Sequence, residues 1–520
     1  MTQPVKALHR QAQQAMNHGH YQQAHQYIIQ LLGIDKHFTD AYFLLAMIAS
    51  IHHNYAKAIE LINHALKLEP NNSEYLAYLA KQYALSKEHV LANQFAIQAQ
   101  ENVPKNAQVW DTLGVVYSQV GLHKNAQDCF EEATKLKQDN SEYWFNLAAA
   151  QKFNGKFEQA KSNYKKCLAL EPKHYKAHAA ITSLGGINQE CNHIEALTLL
   201  FENEQSIDGK LYLGHALARE YEALNDFDNA FHYLSSAKKK RLAQLDYSID
   251  EDRQTFETLK QRFNLTAPKI DGYHSQEPIF IVGMPRTGTT RILSQHQDVT
   301  TAGELQNFGH LMKKLSGSQT LKVIDLDTVN KFKDSNFQML GKTYVESTRA
   351  ITGNTAKFID KMPLNILYVG FILQALPHAK IVCLDRNLLD TIVSNYRQLF
   401  AVNYSYYNYA YDLKTATEYY VLFKDLMAFW LEQFASNFYV VNYENLVSTP
   451  HIAGKSMVEF CGLEWHENLL DITSNTASVA TASAVQVRSP INSKSVGNWK
   501  KYDKYLDEVK AVLTEKGILF

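Results

Sequence analysis

The chain is poor in the features that staple or anchor a fold. Its 520 residues include only five cysteines, Cys129, Cys167, Cys191, Cys383 and Cys461, scattered and without a Cys-x-x-Cys pair. An odd, dispersed set argues against a disulfide framework or structural zinc site and for a reducing compartment. No charge excess is present either: 52 basic and 53 acidic residues leave a formal net charge of −1. A general nucleic-acid binder would carry a large basic excess. No run reaches the ~20 apolar residues of a membrane span, and the first residues lack the apolar core of a signal peptide. The expectation is a soluble, cytoplasmic protein with no nucleic-acid and no membrane partner. The length calls for two or more domains.

What the first half has is a ladder of small residues. Ala24, Ala58, Ala92, Ala126 and Ala160 are spaced by 34; the ladder slips by two to Ala196 and returns to 34 at Ala230. A second column runs through Ala65, Ala99 and Ala133, with Cys167 in register and Ala237 in the last unit. Pro70, Pro104 and Pro172 share one phase near the ends of their units, and Val109–Glu142 adds Trp110, Leu113, Gly114, Tyr117 and Phe130. Small residues let paired helices approach closely, and stacked neighbours bury faces that one unit cannot bury alone. This alphabet at a 34-residue period resembles the tetratricopeptide (TPR) repeat, a helix-turn-helix unit. About seven units are expected over residues 7–245, the sixth distorted around Gly185 and Gly186. Such an array implies a concave groove for a protein or peptide; a rigid spacer or a homodimerisation arm are the alternatives. The run Lys238–Arg241 reads as the solvated last turn of a helix, where cations complement the dipole.

The turn-rich stretch 266–277 separates this all-α array (1–265) from a second domain (278–520). That domain opens on the apolar run Ile279–Val282 and a loop framed by Gly283 and Gly288. A P-loop would place lysine after Gly288 to reach the β- and γ-phosphates of a nucleoside triphosphate. Here the position is Thr289, and an arginine, Arg286, lies inside the loop, so a different phosphate-like group is expected. Three further runs read as buried parallel strands: 357–360, 379–384 and 438–442. Ligands of open α/β sheets bind beyond the carboxyl ends of the strands, where Arg286, Lys361, Asp385, Arg386, Tyr443 and Glu444 stand.

The blocks Gly-Met-Pro-Arg-Thr-Gly-Thr-Thr (283–290), Ala-Gly-Glu-Leu (302–305), Asp-Lys-Met-Pro-Leu-Asn (360–365), Arg386 with Ser394, Tyr-Glu-Asn-Leu-Val (443–447) and Ser-Val-Gly-Asn-Trp-Lys-Lys-Tyr (495–502) follow in order. Together with the repeats they resemble the TPR-containing bacterial sulfotransferases, whose catalytic domain is similar to that of tyrosylprotein sulfotransferases. The resemblance covers residues 277–505. It implies a P-loop-like α/β domain with a central parallel sheet, and 3′-phosphoadenosine 5′-phosphosulfate (PAPS) as co-substrate without a metal.

Carried onto this sequence, Pro285, Arg286, Thr287, Gly288, Thr289 and Thr290 wrap the 5′-phosphosulfate, aided by the N-terminus of the helix that follows. Arg386 and Ser394 grip the 3′-phosphate, although the proline often found two residues after the arginine is absent. Lys361 contacts the bridging oxygen and sulfonate, its alternative being a surface pair with Asp360. Glu304 is the general base, with His296 and His310 as rivals and a salt-bridged glutamate as its alternative. Tyr443 touches the adenosine side. Ser495, Lys500 and Lys501 close over the nucleotide with Trp499 beneath. The tyrosines at 404, 406, 407, 409 and 411 line the acceptor entrance or an ordinary amphipathic loop.

One departure stands out. Between Thr290 and Ser294 the chain has about three residues fewer than the family pattern, which shortens the helix by roughly 4.5 Å and threatens the reach of Glu304. The expected reaction is sulfuryl transfer from PAPS to an acceptor hydroxyl, protein tyrosine among them. The alternatives are a TPR adaptor that keeps the nucleotide but has lost activity, and a P-loop kinase.

Overall fold

The computed structural model describes residues 3–264, 271–285, 292–320, 322, 324–402, 405–471 and 492–520. The chain divides into two compact units, one ending at Ala150 and one beginning at Gln151. Helices in the first unit come in sequential pairs: α1 (Gln3–Asn17) with α2 (Tyr21–Ile34), α3 (Thr39–Ile51) with α4 (Tyr55–Leu68), and α5 (Ser73–Leu85) with α6 (His89–Glu101). α7 (Ala107–Val120) pairs with α8 (His123–Leu136), and α9 (Ser141–Phe153) carries the boundary. Asn54, Asn72 and Asn106 accept backbone N–H bonds at the starts of α4, α5 and α7, which satisfies donors a helix N-terminus leaves open.

The ladder residues of this unit, Ala24, Ala58, Ala92 and Ala126 in one column and Ala65, Ala99 and Ala133 in the other, are fully buried. Gly114 shows why the positions stay small. A Cβ added there would stand 2.5 Å from the Phe130 ring.

The second unit continues with α10 (Phe157–Leu170), α11 (Tyr175–Thr182), α12 (Ile194–Asn203), α13 (Ile207–Ala223), α14 (Phe227–Leu242) and α15 (Ile249–Arg262). The sixth pair is distorted as expected: α11 stops at Thr182 before the two glycines. The slip in the ladder is a correction. Ala196 is exposed and Leu197 is the buried residue, because α12 restarts only after the turn in which Asn188 and Cys191 bond to each other.

Beyond the repeats lies a five-stranded parallel sheet, in the order β2-β3-β1-β4-β5. The strands are β1 (Pro278–Gly283), β2 (Val299–Thr301), β3 (Lys357–Asp360), β4 (Lys380–Asp385) and β5 (Phe438–Asn442). β2 was not expected: three residues, none of them buried, give no apolar run to read. Between β2 and β3 come α16 (Asn307–Ser316), α17 (Leu326–Lys331) and α18 (Phe337–Thr352); α19 (Val369–Ala375) precedes β4. α20 (Leu388–Tyr396) and α21 (Leu413–Gln433) connect β4 to β5. After β5 come α22 (Tyr443–Ser448), α23 (Pro450–Phe460) and α24 (Asp507–Glu515).

Alternate residues of β1 feed opposite cores, as strand geometry requires. Phe280 and Val282 join Phe308, Tyr344 and Phe358 on one face; Ile279 and Ile281 join Val382, Met457 and Val458 on the other. From β1 the chain passes to β2 and β3 on one side, and from β3 it crosses β1 to β4 and β5 on the other, which opens a crevice at the carboxyl ends.

The basic run at the end of α14 corrects another expectation. Lys239 and Lys240 are exposed, but Lys238 is buried, its Nζ donating to the carbonyls of Ala410 (2.9 Å) and Gln398 (3.4 Å). Its ammonium also lies 5.1 and 5.0 Å from the rings of Tyr396 and Tyr411. Arg241 donates to the Val402 carbonyl at 3.1 Å. The last repeat pair is thus fastened to the segment after α20 by cations placed against carbonyl oxygens.

Gly114→Ala should cost about 1–3 kcal/mol through overpacking, read as a lower urea midpoint. Adding Phe130→Leu should recover part of the loss. An unchanged midpoint for the single variant would contradict the close approach.

Candidate active site

The site is assembled where parallel pairing runs past its strands. β2 and β3 pair as Val299↔Lys357, Thr300↔Phe358 and Thr301↔Ile359. The ladder then continues through Ala302 N to Ile359 O and Lys361 N to Gly303 O, both at 2.8 Å. Gly303 takes φ +82°, a left-handed conformation that glycine adopts without strain. This turn sends Glu304 back beside Lys361, and Lys361 Nζ donates to Glu304 Oε1. Among the described residues, that is the only bond of the Glu304 carboxylate. Both side chains are partly open, 34% and 22% exposed, so the pair is accessible to a ligand.

Asp360 is not the partner of Lys361. It is fully buried, and its carboxyl accepts from Tyr344 OH (2.7 Å), Asn365 Nδ2 (3.2 Å) and the Leu305 backbone N–H (3.3 Å). Burial pushes its pKa up to about 7, against the opposing pull of these donors. Adjacent residues therefore do different work: Asp360 fixes the end of β3, and Lys361 faces the crevice.

Gly283 ends β1 paired with Leu384. The loop's first described residues, Met284 and Pro285, are buried. The Pro285 carbonyl accepts from Asn395 Nδ2 at 2.8 Å, and Tyr409 OH donates to Asn395 Oδ1 at 2.9 Å. Arg286, Thr287, Gly288, Thr289 and Thr290 lie outside the described residues, as does Tyr404. Downstream, the described chain does not continue as a helix. Leu293–Gln295 is one 3-10 turn leading into β2, with Ile292 and Leu293 buried in the core beneath the sheet. The expected shortening of the helix after Thr290 itself falls on residues outside the described ones. Within the described residues, Glu304 is brought to Lys361 by β2 and the turn that follows it.

At the end of β4, Arg386 is buried and lies over the Tyr443 ring, 5.0 Å from guanidinium carbon to centroid. It donates to the Ser495 carbonyl and stands 3.7 Å from Asp390 Oδ2. Asn387 caps α20 by accepting from Asp390 N at 3.1 Å, and Leu388, two residues after Arg386 where the proline is absent, opens the helix. The N–H of Asn387 is held by Glu444 at 3.0 Å. Ser394 is half-buried two turns beyond Arg386.

Arg386, Asp390, Ser394 and Arg397 recur at helical spacing along one face, and the C-terminal segment follows that face. Asp390 accepts from the backbone N–H groups of Gly497 (2.6 Å) and Trp499 (3.0 Å). Asp390 and Asn395 escape the sequence reading, because single polar residues on a helix give no spacing signal. Lys500 is exposed, and Lys501 Nζ lies 5.3 Å from the Phe227 ring centroid. Tyr443 packs under Arg386 as a buried ring.

The histidine rivals lie elsewhere. His296 is buried and accepts from Asp298 N at 3.2 Å; His310 Nδ1 bonds the Gln306 carbonyl at 2.7 Å. Of the tyrosine cluster, Tyr409 is core and stacks on Tyr419 at 3.9 Å, whereas Tyr406 OH accepts from Gln306 Nε2 at 3.1 Å. Leu305 and Gln306, directly after Glu304, and Met362, directly after Lys361, line a cavity with Tyr247, Asp252, Tyr368 and Tyr406. Among the described residues there is no cluster of three or more His, Cys, Asp or Glu that could hold a metal ion, and no helix long and apolar enough to cross a membrane.

The fold and site describe a parallel-sheet domain with cations at the carboxyl ends of the strands flanking β1. Residues 278–467 match the sulfotransferase family, and residues 39–72, 107–140 and 141–174 match tetratricopeptide repeats. The chain is therefore a TPR-containing protein with a sulfotransferase-family domain. An uncharacterized protein of Aquifex aeolicus is 26% identical over 466 residues, 86% of this chain and 60% of its own length. The heat-shock cognate co-chaperone sgt12 of Aspergillus fumigatus is 32% identical over 83 residues, 16% of this chain and 24% of its own. The chain spans less than two thirds of the length of both relatives. Among solved structures, pilF of Pseudomonas aeruginosa (23% identity, TM-score 0.33) covers 43% of this chain and 99% of its own. A thermophilic TPR protein of Thermus thermophilus (19%, TM-score 0.31) covers 35% and 98%.

A carboxyl that titrates near 3.8 when free and at about 7 when folded holds its proton in the folded state alone between those values. Stability should therefore fall as pH rises from about 4 through 7 and level off above. Asp360→Asn should flatten that slope, measured as thermal midpoints between pH 5 and 8. Equal slopes in both proteins would show that Asp360 is ionised throughout.

Proposed function

We propose that the domain from residue 278 onward transfers a sulfuryl group from PAPS to an acceptor hydroxyl. The observation that carries this reading is the Glu304–Lys361 pair at the end of β3 on one side of β1, with Arg386 at the end of β4 on the other. The donor set fits a polyanionic nucleotide: Lys361 and Arg386 stand on either side of β1, and Tyr443 presents a ring under Arg386. Arg286 and Thr287–Thr290 complete the assignment for the 5′ group, with Ser394 and Ser495 for the 3′ side and Lys500 for its cover; Lys501, turned to Phe227, is left out of it.

When bound, PAPS supplies the sulfuryl group and a phosphate leaving group. The residues do the rest. Lys361 Nζ, a fixed cation at the strand end, neutralises charge as it spreads over the transferring oxygens. Glu304 takes the acceptor's proton on Oε2, the oxygen not bonded to Lys361; a phenol with pKa near 10 needs such a base to become a nucleophile. Arg386 exchanges the Ser495 carbonyl for phosphate oxygens, a charge-assisted bond about twice as strong as a neutral one. The cavity next to the pair receives the acceptor. A protein or peptide, with tyrosine as the reacting group, is the acceptor favoured by the repeats that accompany the domain.

Glu304→Gln should lower turnover with PAPS by ~10²–10⁴-fold while leaving the affinity for adenosine 3′,5′-bisphosphate within a few-fold, read by calorimetry with and without Mg²⁺. Preference for Mg·ATP would sink the reading in favour of a kinase. Nucleotide binding without turnover on a broad acceptor panel would favour the adaptor.

A further inference from the structure

A second cleft lies where α13, the end of α20 and the C-terminal segment meet. It is lined by Ser183 after α11, Arg219 and Glu222 of α13, Arg397 after α20, and Asn498 and Lys501. Of its four charged groups, three are cations. The one carboxylate is already engaged: Glu222 accepts from Arg397 Nε (2.5 Å), from Arg397 Nη2 and from Tyr502 OH. Burial alone would raise its pKa, yet Arg397, Tyr502 and Arg219 hold it below the usual value.

Arg219 has no hydrogen-bond partner among the described residues, one turn of helix from Glu222. A fourth cation stands behind the wall, where Lys152 Nζ reaches Ser183 Oγ at 3.2 Å. Burial, and then Arg219, push Lys152 down to about 8. Buried cations are normally paired; here Arg397 takes the one carboxylate and Lys501 is exposed, so Arg219 is left with donors unused beside a cleft in which cations outnumber acids.

We propose that this cleft binds a small oxyanion of the phosphate or sulfate class, held by Arg219, with Lys501 closing from the C-terminal segment. Guanidinium donors in a fork match a tetrahedral oxyanion in geometry as well as charge. Lys501 lies on the same segment that supplies Ser495 to Arg386 and Gly497 to Asp390, so an anion here ties that segment to the repeat helix α13. The site shares no residue with the Glu304–Lys361 pair and stands whether or not the domain transfers sulfate.

The test uses the full chain in a buffer of large organic ions, with inorganic phosphate or sulfate added and chloride at equal ionic strength as control. Phosphate and sulfate should raise the thermal midpoint of the wild type more than chloride does, as a ligand bound only to the folded state must. Arg219→Gln should weaken phosphate affinity at least ten-fold by calorimetry. Arg219→Lys, which keeps the charge that faces Glu222 but loses the fork of donors, should also weaken phosphate binding while melting without anion within a few degrees of wild type; a merely structural arginine would change the midpoint and leave phosphate affinity as it was. Adenosine 3′,5′-bisphosphate separates the sources: an equivalent lost in Arg219→Gln means the cleft takes the nucleotide's phosphate, and one retained means it prefers the free ion. Equal stabilisation by chloride, or unchanged phosphate binding in Arg219→Gln, overturns the proposal.

Discussion

One backbone hydrogen bond, from Lys361 N to the Gly303 carbonyl at 2.8 Å, extends the β2–β3 ladder one step beyond its last strand pair. Everything chemical at this site depends on it. It sets Glu304 beside Lys361 and turns the next residues toward the cavity. It also leaves the Leu305 N–H to be received by the buried Asp360. A carboxyl inside the core is costly unless its oxygens are bonded, and Asp360 is bonded three times. Those three bonds fix the end of β3, from which Lys361 meets the Glu304 carboxylate.

A second spine runs along α20. Asp390 holds the backbone of Gly497 and Trp499, Arg386 holds Ser495, and Arg397 shares Glu222 with Tyr502. The Phe231 and Tyr505 rings stack at 3.9 Å, and Lys504 pairs with Asp228 at 2.5 Å. The last repeat helices thus grip the same segment that covers the end of β4. Helices α13 and α14 and the sheet domain are joined through these shared charged contacts.

Much of this was legible. Alanines at a 34-residue period mark buried helix contacts because nothing larger fits them, and four apolar runs marked four strands. The polar ends of those runs pointed to Lys361 and Arg386. What escaped had physical causes. β2 is too short and too exposed to show an apolar pattern. Leu197 replaced Ala196 because a turn shifted one helix by a residue. Lys238 looked like solvated charge, since nothing local reveals that two carbonyls 160 and 172 residues away will receive it. Asn395 reaches across the fold to Pro285 and Tyr409, and such bonds leave no trace in spacing.

The central claim is that Glu304 and Lys361 act as one unit on the transferring group. Single-turnover transfer from PAPS in Glu304→Gln, Lys361→Met and the double variant tests it. Residues that act together lose their effect together, so the double variant should be no slower than the slower single one, within about three-fold. Losses that multiply would show that the two side chains act independently and would contradict the account.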